Sequence, residues 1–109
     1  FQELKALRNG KSDAAFYERL ALISRDLLVH EPLAFKELET VLYRVLAALP
    51  EDQRRIFGMS RDEGMTYREI ADKMGISVKT VEKKVSLSLR AIRKGIDGAF
   101  PVIISMMML

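Results

Sequence analysis

The sequence predicts an all-α protein, a small bundle of five or six helices. Three observations carry this. Apolar residues recur at three- and four-residue intervals through almost the whole chain. Breakers and starters (Pro32, Pro50, Gly64, Gly75) punctuate that pattern at helix-length intervals. No period-two run competes: Val102, Ile103 and Ile104 have strand propensity, but the segment is short and lacks a partner strand. The chain has 109 residues, one domain by length, and is 49% hydrophobic and 30% charged. That is enough apolar material for a core and too much for a disordered chain.

Each helix has its own signals. Ser12 or Asp13 is placed to cap a first helix, with Phe16, Leu20, Ile23 and Leu27 on its apolar side, ending near His30. Pro32 suits the first turn of a second helix, which carries Phe35, Leu38, Leu42, Val45, Leu46 and Leu49. After Pro50, Glu51 and Asp52 favour the positive end of a helix dipole. Ile56, Phe57 and Met59 give that third helix its apolar side, and Gly64 ends it. Thr66 and Glu69 have the spacing of a capping box, in which each side chain accepts the other residue's amide. The short helix it opens buries Ile70, Ala71 and Met74 and stops at Gly75, a left-handed residue after the last turn. Ser77 then caps a longer helix. Its Val78, Val81, Val85, Leu89, Ile92 and Ile96 fall within about 80° of one another at about 100° per residue. Gly95 weakens the end of this helix, and Asp97 with Gly98 is expected to break it.

Residues 67–89 therefore read as short helix, tight turn, longer helix. Ala71 is small where the first helix passes under the second, Gly75 takes the turn, and Ile76 and Val81 plug the gap. Ile70, Met74 and Val85 support them. This is the spacing of a helix-turn-helix.

The charge is concentrated in the same place. The whole chain is only +3, with a pI of about 9.3. Residues 66–96 hold eight basic residues (Arg68, Lys73, Lys79, Lys83, Lys84, Arg90, Arg93, Lys94) against Glu69, Asp72 and Glu82, a net +5. Residues 1–65 are −1, and Asp97 adds another −1. A basic stripe on a near-neutral body is the footprint of a polyanion binder, although a solvated helix face has the same composition.

Together the motif and the charge point to DNA. The second motif helix can enter a major groove with Lys79, Thr80, Glu82, Lys83, Lys84 and Ser86 on its non-core face. Lysine can donate to guanine, Thr80 can offer a methyl to thymine, and Glu82 can accept from cytosine N4. An acid within a basic stripe opposes general phosphate attraction. Glu82 is thus either a base reader or an intrahelical partner of the neighbouring lysines, and a surface ion pair of that kind is worth little. Arg68 and Lys73 are placed for phosphate, and the helix start at Thr66 can donate amides to it. Ser77 sets the cap of the reading helix. Arg90, Arg93 and Lys94 lie further along, toward DNA backbone or solvent.

Other function classes are excluded on composition. There is no cysteine, no tryptophan and one histidine, His30, which reads as a helix-end residue. A disulfide scaffold, a zinc finger and a thiol nucleophile are out. No nucleophile–base pair, glycine-rich phosphate loop or metal-ligand spacing is present, so neither enzymatic activity, metal nor cofactor is expected. The apolar run 100–109, broken by Pro101 and Ser105, is about half of the roughly 20 residues that span a bilayer. No secretory signal is visible, and a cytoplasmic protein is expected.

Residues 49–96 resemble region four of the bacterial extracytoplasmic-function sigma factors. Leu49 and Pro50 open the region. Phe57, Ser60 and Arg61 precede Glu63 and Gly64. Tyr67, Arg68, Glu69, Ile70 and Ala71 match the first motif helix, and Ile76, Ser77, Val78, Lys79, Thr80, Val81 and Glu82 match the turn into the recognition helix. The stretch upstream from Glu31 looks like the start of that region in sigma factors of the Bacteroides type. The resemblance implies binding of the minus-35 promoter element, docking on the β flap of RNA polymerase, and an anti-sigma factor as a further partner. No counterpart of region two, which melts the minus-10 element, is expected within these residues. The chain alone is therefore expected to bind DNA weakly and not to start transcription. Its start at Phe1, without methionine, reads as a fragment or processed form. Two positions depart from the family: Lys84, where histidine is frequent, and Leu87, where lysine is frequent. Leu87 lies opposite the core face and is expected to be exposed, against a thymine methyl or a protein partner.

The expected organisation is a helical linker or N-terminal remnant over residues 1–30, the helix-turn-helix domain over 31–97 and an apolar tail over 98–109. Two other readings compete. The output domain of a two-component response regulator has a very similar motif at Ile76 to Val81, but Leu49, Pro50 and Ser60 to Gly64 look sigma-like. A protein-interaction module could use the methionine-rich tail as an adaptable surface, although packing of the tail onto the N-terminal helices is the favoured alternative.

Overall fold

In the computed structural model, which describes residues 13–108, the chain forms α1 (Asp13–His30), α2 (Pro32–Ala48), α3 (Glu51–Arg61), α4 (Tyr67–Met74) and α5 (Val78–Met107). There is no strand among the described residues, as the sequence predicts. Ser12 lies outside them, and Asp13 is the first residue of α1.

α5 is the spine. It has 30 residues and packs against all four other helices. At about 1.5 Å per residue its length is about 45 Å, which accounts for the 49 Å long axis of a molecule 24 and 22 Å across. Val81, Val85, Leu89, Ile92, Ile96, Phe100 and Ile103 form its buried stripe. Ser88 is fully buried in that stripe and donates its hydroxyl to the Lys84 carbonyl at 3.0 Å, so no polar atom is stranded there.

Three sequence expectations change at α5. Val78, assigned to the apolar stripe, is 38% exposed, because it sits in the first turn before the helix has met its neighbours. The break at Asp97 and Gly98 does not occur, and the helix runs on to Met107 through Pro101. Proline has no N–H for the Asp97 carbonyl, but burial of Phe100 and Ile103 against the core outweighs local propensity. Gly95 is a packing residue rather than a weak point. A Cβ there would fall far inside contact with Val45 Cγ2 and 3.8 Å from Val41 Cγ1, so glycine lets α5 approach α2.

α1 and α2 are joined by Glu31 alone, whose amide donates to the Leu27 carbonyl at 2.8 Å. Phe16, Leu20 and Leu27 bring α1 into the common core. In α2 the buried stripe is Ala34, Leu38 and Val41, while Phe35, Leu42, Val45 and Leu46 are half-buried. The stripe is broader than the expected one, adding Ala34 and Val41, because α2 serves two neighbours. Phe35 and Leu42 line a groove with Leu20 and Ser24 of α1, and Val41 and Val45 line another with Gly95 and Ala99 of α5. α3 joins α1 through Arg61, whose guanidinium lies 4.9 Å from the Tyr17 ring centroid and 5.9 Å from that of Phe57. The two rings meet edge to face at 5.4 Å.

Candidate nucleic-acid interface

The motif geometry follows from local chemistry. Thr66 accepts the Glu69 amide at 3.1 Å, and Glu69 accepts the Thr66 amide at 2.9 Å. These bonds hold the Glu69 carboxyl below its ordinary value. The box occupies the amides of Thr66 and Glu69, so Tyr67 and Arg68 supply the first-turn amides it does not use. Gly75 closes α4 at φ 69° and ψ 35°, with the Ile76 amide on the Ala71 carbonyl at 3.0 Å, the long bond of a Schellman turn. Ser77 then caps α5 by accepting the Thr80 amide at 3.0 Å, and its hydroxyl meets the Thr80 hydroxyl at 2.9 Å. Ile70, Ala71, Val81 and Val85, all buried, lock the two helices together.

With that face locked, the side of α5 left to solvent is set. Lys79, Glu82, Lys83 and Ser86 are exposed along it, and Arg68 and Lys73 are exposed on α4. Thr80 is half-buried, its hydroxyl engaged with Ser77. Leu87 is exposed, as its position opposite the stripe predicts. Among the described residues Glu82 makes no ion pair, so intrahelical pairing does not occupy it.

Three basic residues have partners that the sequence does not reveal. Lys84 Nζ lies 2.7 Å from Asp52 Oδ2 on α3. Further along α5, Arg90 and Arg93 lie 3.9 and 3.5 Å from the Asp13 carboxylate, and Arg93 stacks over Phe16 at 5.3 Å. Asp52 and Asp13 carry only helix-terminus signals in the sequence, and their cross-helix roles depend on tertiary placement. Among the described residues no group of acids and histidine is arranged to hold a metal ion. No described helix is long and apolar enough to cross a membrane.

A capped helix-turn-helix with a basic outward face is thus present over residues 66–96. Compared with known protein families, residues 40–92 match the family described as Sigma-70, region 4. The chain carries a sigma-70 region 4 domain. The match begins in α2 and ends in α5 at Ile92, and so contains α4, the turn and the first half of α5. It selects the sigma reading over the response-regulator one. Region 4 is the part of sigma factors that binds the minus-35 promoter element, and promoter DNA and RNA polymerase are its partners. No curated protein and no solved structure matches the chain.

Proposed function

We propose that α5 of this region 4 domain reads the minus-35 element from the major groove, with Lys79, Glu82, Lys83 and Ser86 toward the base edges. Arg68 and the α4 start beside Thr66 take phosphate. Ser77 and Thr80 hold the entry turn, and Lys84 lies at the edge of the interface. The observation that carries this is the exposed polar row on a helix whose other side is fixed in the core. Glu82 supports base reading in particular, because an unpaired acid weakens phosphate attraction and, once desolvated in the groove, can accept from a donor such as cytosine N4.

In this reading the module spans residues 31–97, and residues 13–30 and 98–107 brace it from behind. It binds rather than catalyses, works in the cytoplasm, docks on the β flap of RNA polymerase and is held in check by an anti-sigma factor. Fluorescence anisotropy on minus-35-like duplexes tests the DNA part. Affinity should fall with a slope of about −0.9 per phosphate contacted in a plot of log affinity against log salt. No measurable binding at low salt to any duplex would overturn the proposal.

A further inference from the structure

We propose that Asp52 is a positioning residue that withholds Lys84 from the DNA backbone, and so sets the affinity and salt dependence of binding. This rests on the reading of α5 as the DNA-facing helix.

The geometry is specific. Both Asp52 oxygens are engaged: Oδ1 accepts the Gln53 amide at 2.8 Å, and Oδ2 meets Lys84 Nζ at 2.7 Å. The amide bond fixes the carboxylate within the first turn of α3, so it is a preset receptor for the ammonium. Lys84 keeps 29% of its side chain exposed and Asp52 keeps 47%, so the pair lies at the surface along the seam between α3 and α5. Lys84 follows Lys83 in the chain but lies at the edge of the face that turns to DNA, and its charge is offset in place. To reach a phosphate, the ammonium has to leave Asp52 and expose a carboxylate beside another anion. The hydrogen bond from the ammonium also holds the carboxyl below its ordinary value, which favours its ionised form. The local charge of +5 therefore overstates the cations available to DNA: Asp52 offsets Lys84, and further along α5 Asp13 lies beside Arg90 and Arg93.

The consequence is an asymmetry between the partners. Removing the acid adds a phosphate contact, whereas removing the base subtracts none. The test uses the full chain and a minus-35-like duplex between roughly 50 and 200 mM salt. Asp52→Asn should bind severalfold more tightly at low salt, with a slope steeper by about 0.9, the signature of one more phosphate neutralised. Lys84→Gln alone should leave the slope unchanged. The double variant Asp52→Asn with Lys84→Gln should return to the wild-type slope. Asp26→Asn, which makes the same charge change in the last turns of α1, should leave the slope unchanged and so controls for net charge.

A lower slope in Lys84→Gln alone would show that Lys84 already touches phosphate and would overturn the proposal. So would an unchanged slope in Asp52→Asn, or an equal steepening in Asp26→Asn. A wild-type chain that binds while Asp52→Asn stays flat defeats this inference and leaves the DNA-binding reading standing. A wild-type chain that binds no duplex defeats both.

Discussion

Gly95 and Gly98 lie one turn apart on α5, and alanine at the two positions should have opposite effects. In a helix interior alanine is favoured over glycine by about 1 kcal/mol. At Gly98 a Cβ meets nothing within 4 Å, since the residue lines the open groove against α2. Gly98→Ala should therefore gain about 0.5–1 kcal/mol. At Gly95 the same Cβ falls far inside contact with Val45 Cγ2. Val45 is β-branched on a helix and strongly prefers one rotamer, so it cannot swing clear. Overpacking of this kind costs about 1–3 kcal/mol, which exceeds the propensity gain and leaves a net loss of about 1 kcal/mol. The two variants should thus differ by about 2 kcal/mol, or roughly 8–16 °C in Tm for a domain of this size. Thermal melts followed by circular dichroism measure this directly. Val45→Ala should be better tolerated in the Gly95→Ala background than in the wild type, because it removes the clashing methyls. If Gly95→Ala melts as high as Gly98→Ala, the close approach of α2 and α5 is not what requires glycine.

Other perturbations probe the remaining parts of the fold. Thr66→Ala removes one half of the capping box and should cost about 1 kcal/mol in urea denaturation; no loss would mean that the box contributes nothing to α4. The folded value of the Glu69 carboxyl lies below its ordinary 4.5, so its stabilisation is complete at neutral pH and is lost as the pH falls below 4.5 through the folded value. Glu69→Gln should accordingly flatten the acid side of the stability profile, and an unchanged profile would contradict the bond. Pro101→Ala restores a donor for the Asp97 carbonyl at an exposed position and should raise stability by up to about 3 kcal/mol. A loss on melting would show that the proline is needed where it is.

The parts of the interface legible in the sequence are those set by neighbours in the chain. Thr66 with Glu69, Gly75, and Ser77 before Thr80 each act over a span of three to five residues, so spacing alone reveals them. The row of Lys79, Glu82, Lys83 and Ser86 is legible because helical period fixes which residues fall outside the stripe of Val81 and Val85. The hidden parts depend on how distant helices meet. Asp52 and Asp13 look like ordinary helix-start acids until α5 brings Lys84, Arg90 and Arg93 beside them. Gly95 reads as a weak point and Asp97 with Gly98 as a break because propensity carries no knowledge of Val45, or of the core that receives Phe100 and Ile103. The α2 face is wider than the expected row, taking in Ala34 and Val41 as well, for a related reason: a helix with two neighbours buries more than one periodic row describes.

Base discrimination by α5 is the most direct measurement. Anisotropy is read on a minus-35-like duplex and on a set altered one base pair at a time. The wild-type chain should lose about 1–3 kcal/mol at each contacted pair. Lys83→Gln and Glu82→Gln should each relax the preference at one position, while Arg90→Gln should act evenly or not at all across the set. Equal affinity for every duplex, unchanged by either substitution, would contradict promoter reading by this helix.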